Sequence, residues 1–474
     1  MQPLITDPAI LSGYLTDASN VAGRAEGLLR PHSAEEVAEV VAHCQRHGIP
    51  LTVTAKRTST TAAAVPDGGW LLSMEHLDAI ESIEHDRARA QAGVVLGELQ
   101  DAIEATGRFF PPDPTSRYDC SLGGAIACNA SGARSFRYGP TRPWIEALQV
   151  VLPDGELLEV GPDDPLPPSW PVPRWSEPSG KTAAGYAPPS RLLDVFIGQE
   201  GTLGVVTAAT LRLTDLHEAV GMLLWFVDRG GAVSFMRRIR ELARADAKGL
   251  VAPRCIEYLD AHCVDLARGR VGGVPTTARA ALFVEQELHH DADDHLAAWW
   301  ELLESSDALA DDTVVAADDA GRAQLHALRH AIPAGINERV VHNGMRKVGT
   351  DLAVPDEALD ALMDAYEAAP IEHVLFGHLG DNHLHLNLLP KTEGELVVAK
   401  RYYDALARQA VAAGGTVSAE HGIGKLKREH LGWMVGDDVL ASFAALKRSL
   451  DPAWILGRGN VLQAPPSPGA MGLL

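Results

Sequence analysis

The chain has few cysteines, no long hydrophobic run and a deficit of basic residues, and each shortage removes a class of function. Its five cysteines (Cys44, Cys120, Cys128, Cys255, Cys263) fall at irregular spacing with no Cys-x-x-Cys pair. The chain therefore holds no iron–sulfur cluster of its own, and reduced cytosolic thiols are expected. The longest apolar stretch, Val220 to Val227, is far too short to cross a bilayer, and no secretory apolar segment stands at the N-terminus. A cytoplasmic location follows as an expectation, with peripheral attachment to the inner face of the membrane left open. Only 41 basic side chains stand against 63 acidic ones, a formal charge of −22. Such a chain repels phosphate backbones and anionic lipid, so nucleic acid is excluded as a partner. Internal repeats are also absent.

What is present is an ordinary globular composition, 46% hydrophobic and 22% charged, over 474 residues. That length exceeds one hydrophobic core and predicts two or three domains. Ser33-Ala-Glu-Glu36 has the form of a capping box, and Val37, Val40, Val41 and Cys44 follow on one helical face until Gly48. A β-rich run from Ile49 to Thr54 and a short helix between Gly97 and Gly107 make this part mixed α and β. Between Cys120 and Gly139 the residues become small, including Gly123, Gly124, Asn129 and Gly132, so that a ligand can touch the main chain. Ile197-Gly-Gln-Glu200-Gly201-Thr202-Leu-Gly204-Val-Val206 repeats the pattern, and two such segments favour a cofactor. Residues 161–190 are proline-rich and read as an irregular excursion. Ser179-Gly-Lys-Thr182 lies within it, but Trp175 stands where a phosphate loop needs its first glycine, which excludes nucleotide hydrolysis.

The chemistry concentrates near the C-terminus, in His378-Leu-Gly-Asp-Asn-His383-Leu-His385-Leu-Asn387 and in Ser418-Ala-Glu420-His421-Gly-Ile-Gly424. Beyond a Gly380-Asp381 turn the residues alternate, with His383, His385 and Asn387 on one face of a predicted strand and Leu384, Leu386 and Leu388 on the other. Val374 to His378 reads as the partnering strand of a hairpin. Imidazoles at this spacing can share a divalent ion, and Glu420 can supply an oxygen. Helices are predicted on either side, over Pro355 to Met363 and Arg401 to Ala413. His289-His290-Asp-Ala-Asp-Asp-His295 is read as the solvated start of a helix leading to Trp299 and Trp300 rather than a second metal cluster.

Pro112-Asp-Pro114, Gly123-Gly124 through Asn129-Ala-Ser-Gly132, Tyr138-Gly139, Pro153-Asp-Gly155, the Ile197 to Gly204 segment, Asp351-Leu-Ala-Val-Pro355, Gly377-His378-Leu-Gly-Asp381 and Glu420-His421-Gly422-Ile-Gly424 occur in this order. Together they resemble the vanillyl-alcohol-oxidase (PCMH-type) superfamily of FAD enzymes, in the branch of D-lactate dehydrogenases, glycolate oxidase flavoprotein subunits and D-2-hydroxyglutarate dehydrogenases. The resemblance spans nearly the whole chain. It implies an α+β fold: an FAD-binding domain of two α+β subdomains over residues 1–215, a cap domain with an antiparallel sheet flanked by helices and carrying the metal site over 216–425, and a C-terminal segment, 426–474, returning to the FAD domain. Non-covalent FAD is implied, contacted by Lys56, Arg57, Thr58, Ser59, Pro112, Gly123, Gly124, Asn129, Gly132, Tyr138, Glu200, Gly201, Gly204, Val206 and Asn460.

By the same resemblance the metal ligands are His378, His385 and Glu420, with zinc as the expected ion and iron or manganese as alternatives. His421 is the expected base, and Arg329 and Lys347 the cations for a substrate carboxylate. The implied activity is FAD-dependent oxidation of a D-configured 2-hydroxy acid to the 2-oxo acid. Electrons would pass to a quinone, flavoprotein or cytochrome, in a homodimer or a redox-complex subunit. The alternatives are a flavin-poor, non-catalytic subunit of a larger redox complex and a non-redox flavoenzyme of the alkyl-dihydroxyacetone-phosphate synthase type. Two departures stand out. Ala55-Lys56-Arg57-Thr58-Ser59-Thr60-Thr61-Ala62-Ala63 replaces the Arg-Gly-Gly-Gly-Thr-Ser loop of relatives, losing glycines beside the pyrophosphate while adding two cations. Asn382-His383 replaces Gly-Asn, and Asn tolerates the left-handed turn that this position needs.

Overall fold

The computed structural model describes residues 3–316 and 318–465. The first subdomain is a small parallel sheet in the order Gly27–Leu29, Trp70–Ser73, Leu51–Thr54. The helix Ala34–His47 covers it, burying Val37, Val40, Val41 and Cys44 on one face. Each of these apolar side chains contributes on the order of 1.5–3 kcal/mol by leaving water. Ser33 Oγ accepts from the Glu36 amide at 3.3 Å, but the Glu36 carboxylate turns one residue further back, to the His32 amide at 2.8 Å. The capping box is thus half formed and still stops fraying. Gly48, at φ 62°, ends the helix.

The second subdomain is an antiparallel sheet in the order Ile80–Ile83, Arg87–Gln91, Val205–Arg212, Ile145–Val151, Leu157–Val160. Its central strand follows directly on the second small-residue segment, and that segment is thereby held at the sheet's end. Residues 161–190 form no helix or strand, as their prolines predict.

The cap domain is built on an antiparallel sheet with the path order Val314–Val315, Ala219–Phe226, Ala280–Glu287, Pro253–Leu259, His373–His378, His383–Leu388, Val348–Gly349, and Leu352–Ala353 pairs with His383–Leu388 as well. Strand Ala219–Phe226 is apolar on both faces because both are covered. Met222, Leu224 and Phe226 pack with Phe235 and Trp299 on one side, and Leu223 and Trp225 with Val264 and Leu325 on the other. This explains why the longest apolar run of the sequence lacks alternation. Among the described residues no helix is long and apolar enough to cross a membrane.

Helix boundaries differ from the sequence reading where caps were overlooked. The helix expected from Arg401 runs Glu393–Ala412, because Thr392 caps it by accepting from the Glu395 amide at 3.1 Å. The one expected from Pro355 begins as a 3-10 turn and becomes Leu359–Glu367. His295, expected in a solvated helix start, is fully buried within Ala292–Glu304. Its Nε2 accepts from the amides of His289 and His290, both at 3.1 Å, and its Nδ1 lies 2.8 Å from Leu250 O, so both ring nitrogens are engaged.

The C-terminal helical stretch Arg428–Leu450 breaks at Gly436 (φ 75°, ψ 170°), and the chain then reaches the first sheet. Leu51 N donates to Ile455 O at 2.8 Å and Gly457 N donates to Leu51 O at 3.0 Å. The buried ammonium of Lys447 donates to Thr202 O at 2.6 Å and Leu456 O at 2.9 Å, tying this return to the second small-residue segment.

Candidate active site

A cavity of about 500 Å³ lies between the two N-terminal subdomains and the loop that carries Glu420 and His421. Its lining includes Lys56, Arg57, Thr58, Ser59, Gly123, Gly124, Glu200, Gly201, Gly204 and Val206 from the sequence-expected set. The small side chains leave main chain on display, which suits a large planar cofactor with a pyrophosphate. Five expected residues stand outside the lining and bond to the structure around it. Pro112 O accepts from Gln100 at 2.7 Å, Asn129 Oδ1 accepts from the Arg142 amide at 2.9 Å, and Asn460 donates to Ala63 O at 2.8 Å and Glu200 O at 3.0 Å. At Gly132 a Cβ would fall 1.7 Å from Asp113 O, so the position is held by close backbone approach. Tyr138 turns its hydroxyl to the buried Glu287.

The loop Ala55 to Ala63 keeps the backbone shape that glycines would give. Arg57 (φ 57°) and Ala62 (φ 61°) adopt left-handed conformations without glycine, a strain of roughly 1–2 kcal/mol each. The Arg57 guanidinium lies 4.5 Å over the Tyr14 ring and donates to Ala55 O at 3.0 Å, which helps hold the turn. Lys56 is exposed. Across the cavity, Glu200 turns its carboxylate onto the amides of Ile423 and Gly424 at 2.8 and 2.6 Å. Burial raises its pKa to about 7 despite these bonds. Gly424 sits at φ 50°, and a Cβ there would lie 2.1 Å from Thr61 O. Gly424→Ala should therefore destabilise the fold by about 2–4 kcal/mol and lower the bound flavin per chain, read by thermal melting and by visible absorbance against protein concentration.

The histidine hairpin is as the alternation predicts. His373–His378 pairs with His383–Leu388, placing His378 opposite His383 and Phe376 opposite His385, and Asn382 takes the left-handed turn at φ 54°. His378 Nε2 lies 3.3 Å and His385 Nε2 3.2 Å from the two oxygens of Glu420. Each ring is oriented by its other nitrogen: His378 Nδ1 donates to Glu257 at 2.5 Å and His385 Nδ1 to Thr350 O at 3.2 Å. This is the arrangement that presents bare nitrogens to a metal. Burial depresses proton binding at His378, but Glu257 and Glu420 push its pKa up to about 10, so an ion would displace a proton. A donor set of imidazoles and one carboxylate, buried and convergent, fits a divalent cation.

Two cations and a carboxylate missed by the sequence reading complete the cluster. Lys181, from the excursion dismissed as a phosphate loop, places its buried Nζ 3.0 Å from Glu420 Oε2, so an ion must share or displace that contact. Asp351 accepts from Lys427 Nζ at 2.6 Å, Ser418 Oγ at 2.7 Å and the amides of Glu420 and His421 at 3.2 and 3.1 Å. Burial alone would raise its pKa, but the charges of His421 and Lys427 and the neighbouring imidazoles of His383 and His421 hold it well below the usual carboxylate range. His421 Nδ1 lies 3.3 Å from Asp351 Oδ2, and the ring lines the cavity. Of the expected carboxylate-binding cations, Lys347 donates to Asn387 Oδ1 at 2.7 Å, and desolvation of its ammonium lowers its pKa although the residue as a whole is exposed. The Arg329 side chain lies outside the described residues.

Comparison with known proteins gives consistent matches. Residues 25–161 match the family described as FAD binding domain, and residues 232–461 match FAD linked oxidases, C-terminal domain. The chain is 30% identical to D-2-hydroxyglutarate dehydrogenase of Xanthomonas citri pv. viticola, covering 98% of this chain and 95% of that one. It is 26% identical to glycolate oxidase subunit GlcD of Bacillus subtilis, with 92% and 88% covered, and 27% identical to D-lactate dehydrogenase of Anaerostipes hadrus, with 92% and 90% covered. A solved structure of alkyldihydroxyacetonephosphate synthase superposes with a TM-score of 0.66 at 17% identity over 92% of this chain and 77% of that one.

Proposed function

We propose, on the premise that this chain belongs to the FAD-linked oxidases, that it oxidises a D-configured 2-hydroxy acid of the lactate, glycolate or 2-hydroxyglutarate type to the 2-oxo acid. The observation that carries this reading is contiguity. Glu420 and His421 line the small-residue cavity and at the same time belong to the imidazole–carboxylate cluster. The named relatives act, by their names, on hydroxy acids that share a carboxylate and an adjacent hydroxyl. FAD bound in the cavity would supply a hydride acceptor, and a divalent ion held by His378, His385 and Glu420, zinc by donor type, would supply Lewis acidity that favours loss of the hydroxyl proton.

The chain's own side chains do the rest. His421 takes the hydroxyl proton at Nε2, while Asp351 holds Nδ1 and thereby selects the tautomer. Lys347, anchored on Asn387, and Arg329 bind the substrate carboxylate. Lys181 adds positive charge beside Glu420 and keeps that carboxylate ionised. Asn460 and Lys425 fasten the first loop to the Glu200 segment and keep the cavity walls together.

The test begins with the visible spectrum of the purified protein, followed by a panel of D- and L-2-hydroxy acids with an artificial dye acceptor. A flavin spectrum bleached anaerobically by a D-acid, and not by its L-enantiomer, is expected. A colourless protein would instead support the flavin-poor subunit. Chelation should lower turnover about tenfold or more at unchanged FAD content, and full activity in metal-free protein would remove the ion from the mechanism.

A further inference from the structure

His383 is fully buried, and neither ring nitrogen has an aligned hydrogen-bond partner among the described residues. An unpaired buried polar atom costs on the order of 1–3 kcal/mol, so native proteins seldom keep one without a use. The ring stands among the proposed metal donors, its centroid 4.4 Å from that of His385 and 5.3 Å from that of His378. Its Nε2 is 3.0 Å from Asp351 Oδ1, poorly aligned, and its Nδ1 is 3.9 Å from Glu420 Oε2. One nitrogen thus faces an orienting carboxylate and the other faces the donor cluster, the same division of labour seen at His378 with Glu257 and at His385 with Thr350.

We propose that His383 is a fourth protein donor to the divalent ion, through Nδ1, so that three imidazoles and one carboxylate hold it. The inference rests on the metal reading above and extends it to a residue that reading leaves out. Ligands about 2.0–2.1 Å from a tetrahedral ion lie roughly 3.4 Å apart. Separations of 3.3, 3.2 and 3.9 Å between Glu420 and the three imidazoles match such edges after small shifts, and one donor atom from each of the four residues falls within 4.8 Å of all the others. The position follows from the sequence. His383 is the register partner of His378, and His385 follows two residues on along the same face, so one hairpin surrounds a single point with three rings. A fourth protein donor holds the ion more tightly and completes a tetrahedral set, so the substrate hydroxyl would reach the ion only as a fifth ligand.

The experiment uses the full-length protein loaded with Zn²⁺ or Co²⁺. X-ray absorption at the metal edge of the unaltered protein counts imidazoles, and three are expected; two would overturn the proposal without any variant having to fold. In His383→Asn, competition with a chelator should show zinc affinity lowered tenfold or more, and the Co²⁺ visible bands should shift, with far-UV circular dichroism of the metal-free protein unchanged. Unaltered affinity and bands in His383→Asn, with binding lost in His385→Ala, would overturn the fourth donor and keep the three-ligand site. Failure of the unaltered protein to bind either ion would overturn both.

Discussion

Replacing His421 by alanine is expected to slow anaerobic reduction of the flavin by a 2-hydroxy acid by about 10²–10⁴, the range that a positioned general base supplies, with FAD and metal content unchanged. The side chain is suited to such a surgical loss. It is 36% exposed and lines the cavity, so its removal opens no void in the core. Its ring stacks beside His385 with centroids 5.6 Å apart, close to the proposed metal without belonging to the three-ligand set. Stopped-flow absorbance separates the chemical step from later electron transfer, and the effect should fall on the reduction rate rather than on substrate affinity. Partial rescue by added imidazole is the further expected sign of a missing proton acceptor. Reduction at the unaltered rate would strip His421 of the role.

How much of this was legible in the sequence depends on the distance over which a residue acts. The hairpin was readable because His383, His385 and Asn387 alternate with leucines, and a period of two survives folding. The small-residue segments were readable because absent side chains are themselves a signal, and most of the expected residues there line one cavity. The task of Asp351 is invisible in the sequence, because its partners Ser418 and Lys427 lie 67 and 76 residues downstream and no local pattern links them. Lys181 was hidden in a proline-rich excursion that offers no periodicity. Arg57 and Ala62 concealed their turns, since only glycine announces a left-handed backbone. His383 was noted as a departure, but its lack of aligned partners can be seen only after the surrounding elements have closed over it.

Asp351→Asn should have a second, larger effect on the whole protein, because Asp351 is the point where the cap sheet grips the loop that carries Glu420 and His421. The carboxylate is 1% exposed and neutralises the buried ammonium of Lys427, which is 8% exposed. Asparagine keeps the shape but leaves that ammonium without a counter-charge, and one amide hydrogen-bonding face cannot accept from Lys427, Ser418 and two backbone amides together. Breaking a buried pair from one side costs about 3–5 kcal/mol, measurable by denaturant unfolding of the FAD-loaded protein. Flavin reduction should also fall to about the level of His421→Ala, since the imidazole loses the group that fixes its tautomer. Adding Lys427→Met distinguishes the two consequences. The double variant no longer buries an unpaired charge and should recover part of the stability, a non-additive result expected for residues in contact. It should not recover the reduction rate, because His421 remains without its orienting carboxylate. Recovery of both together would mean that Asp351 acts only by holding the loop in place, and recovery of neither would place the damage outside the Asp351–Lys427 pair.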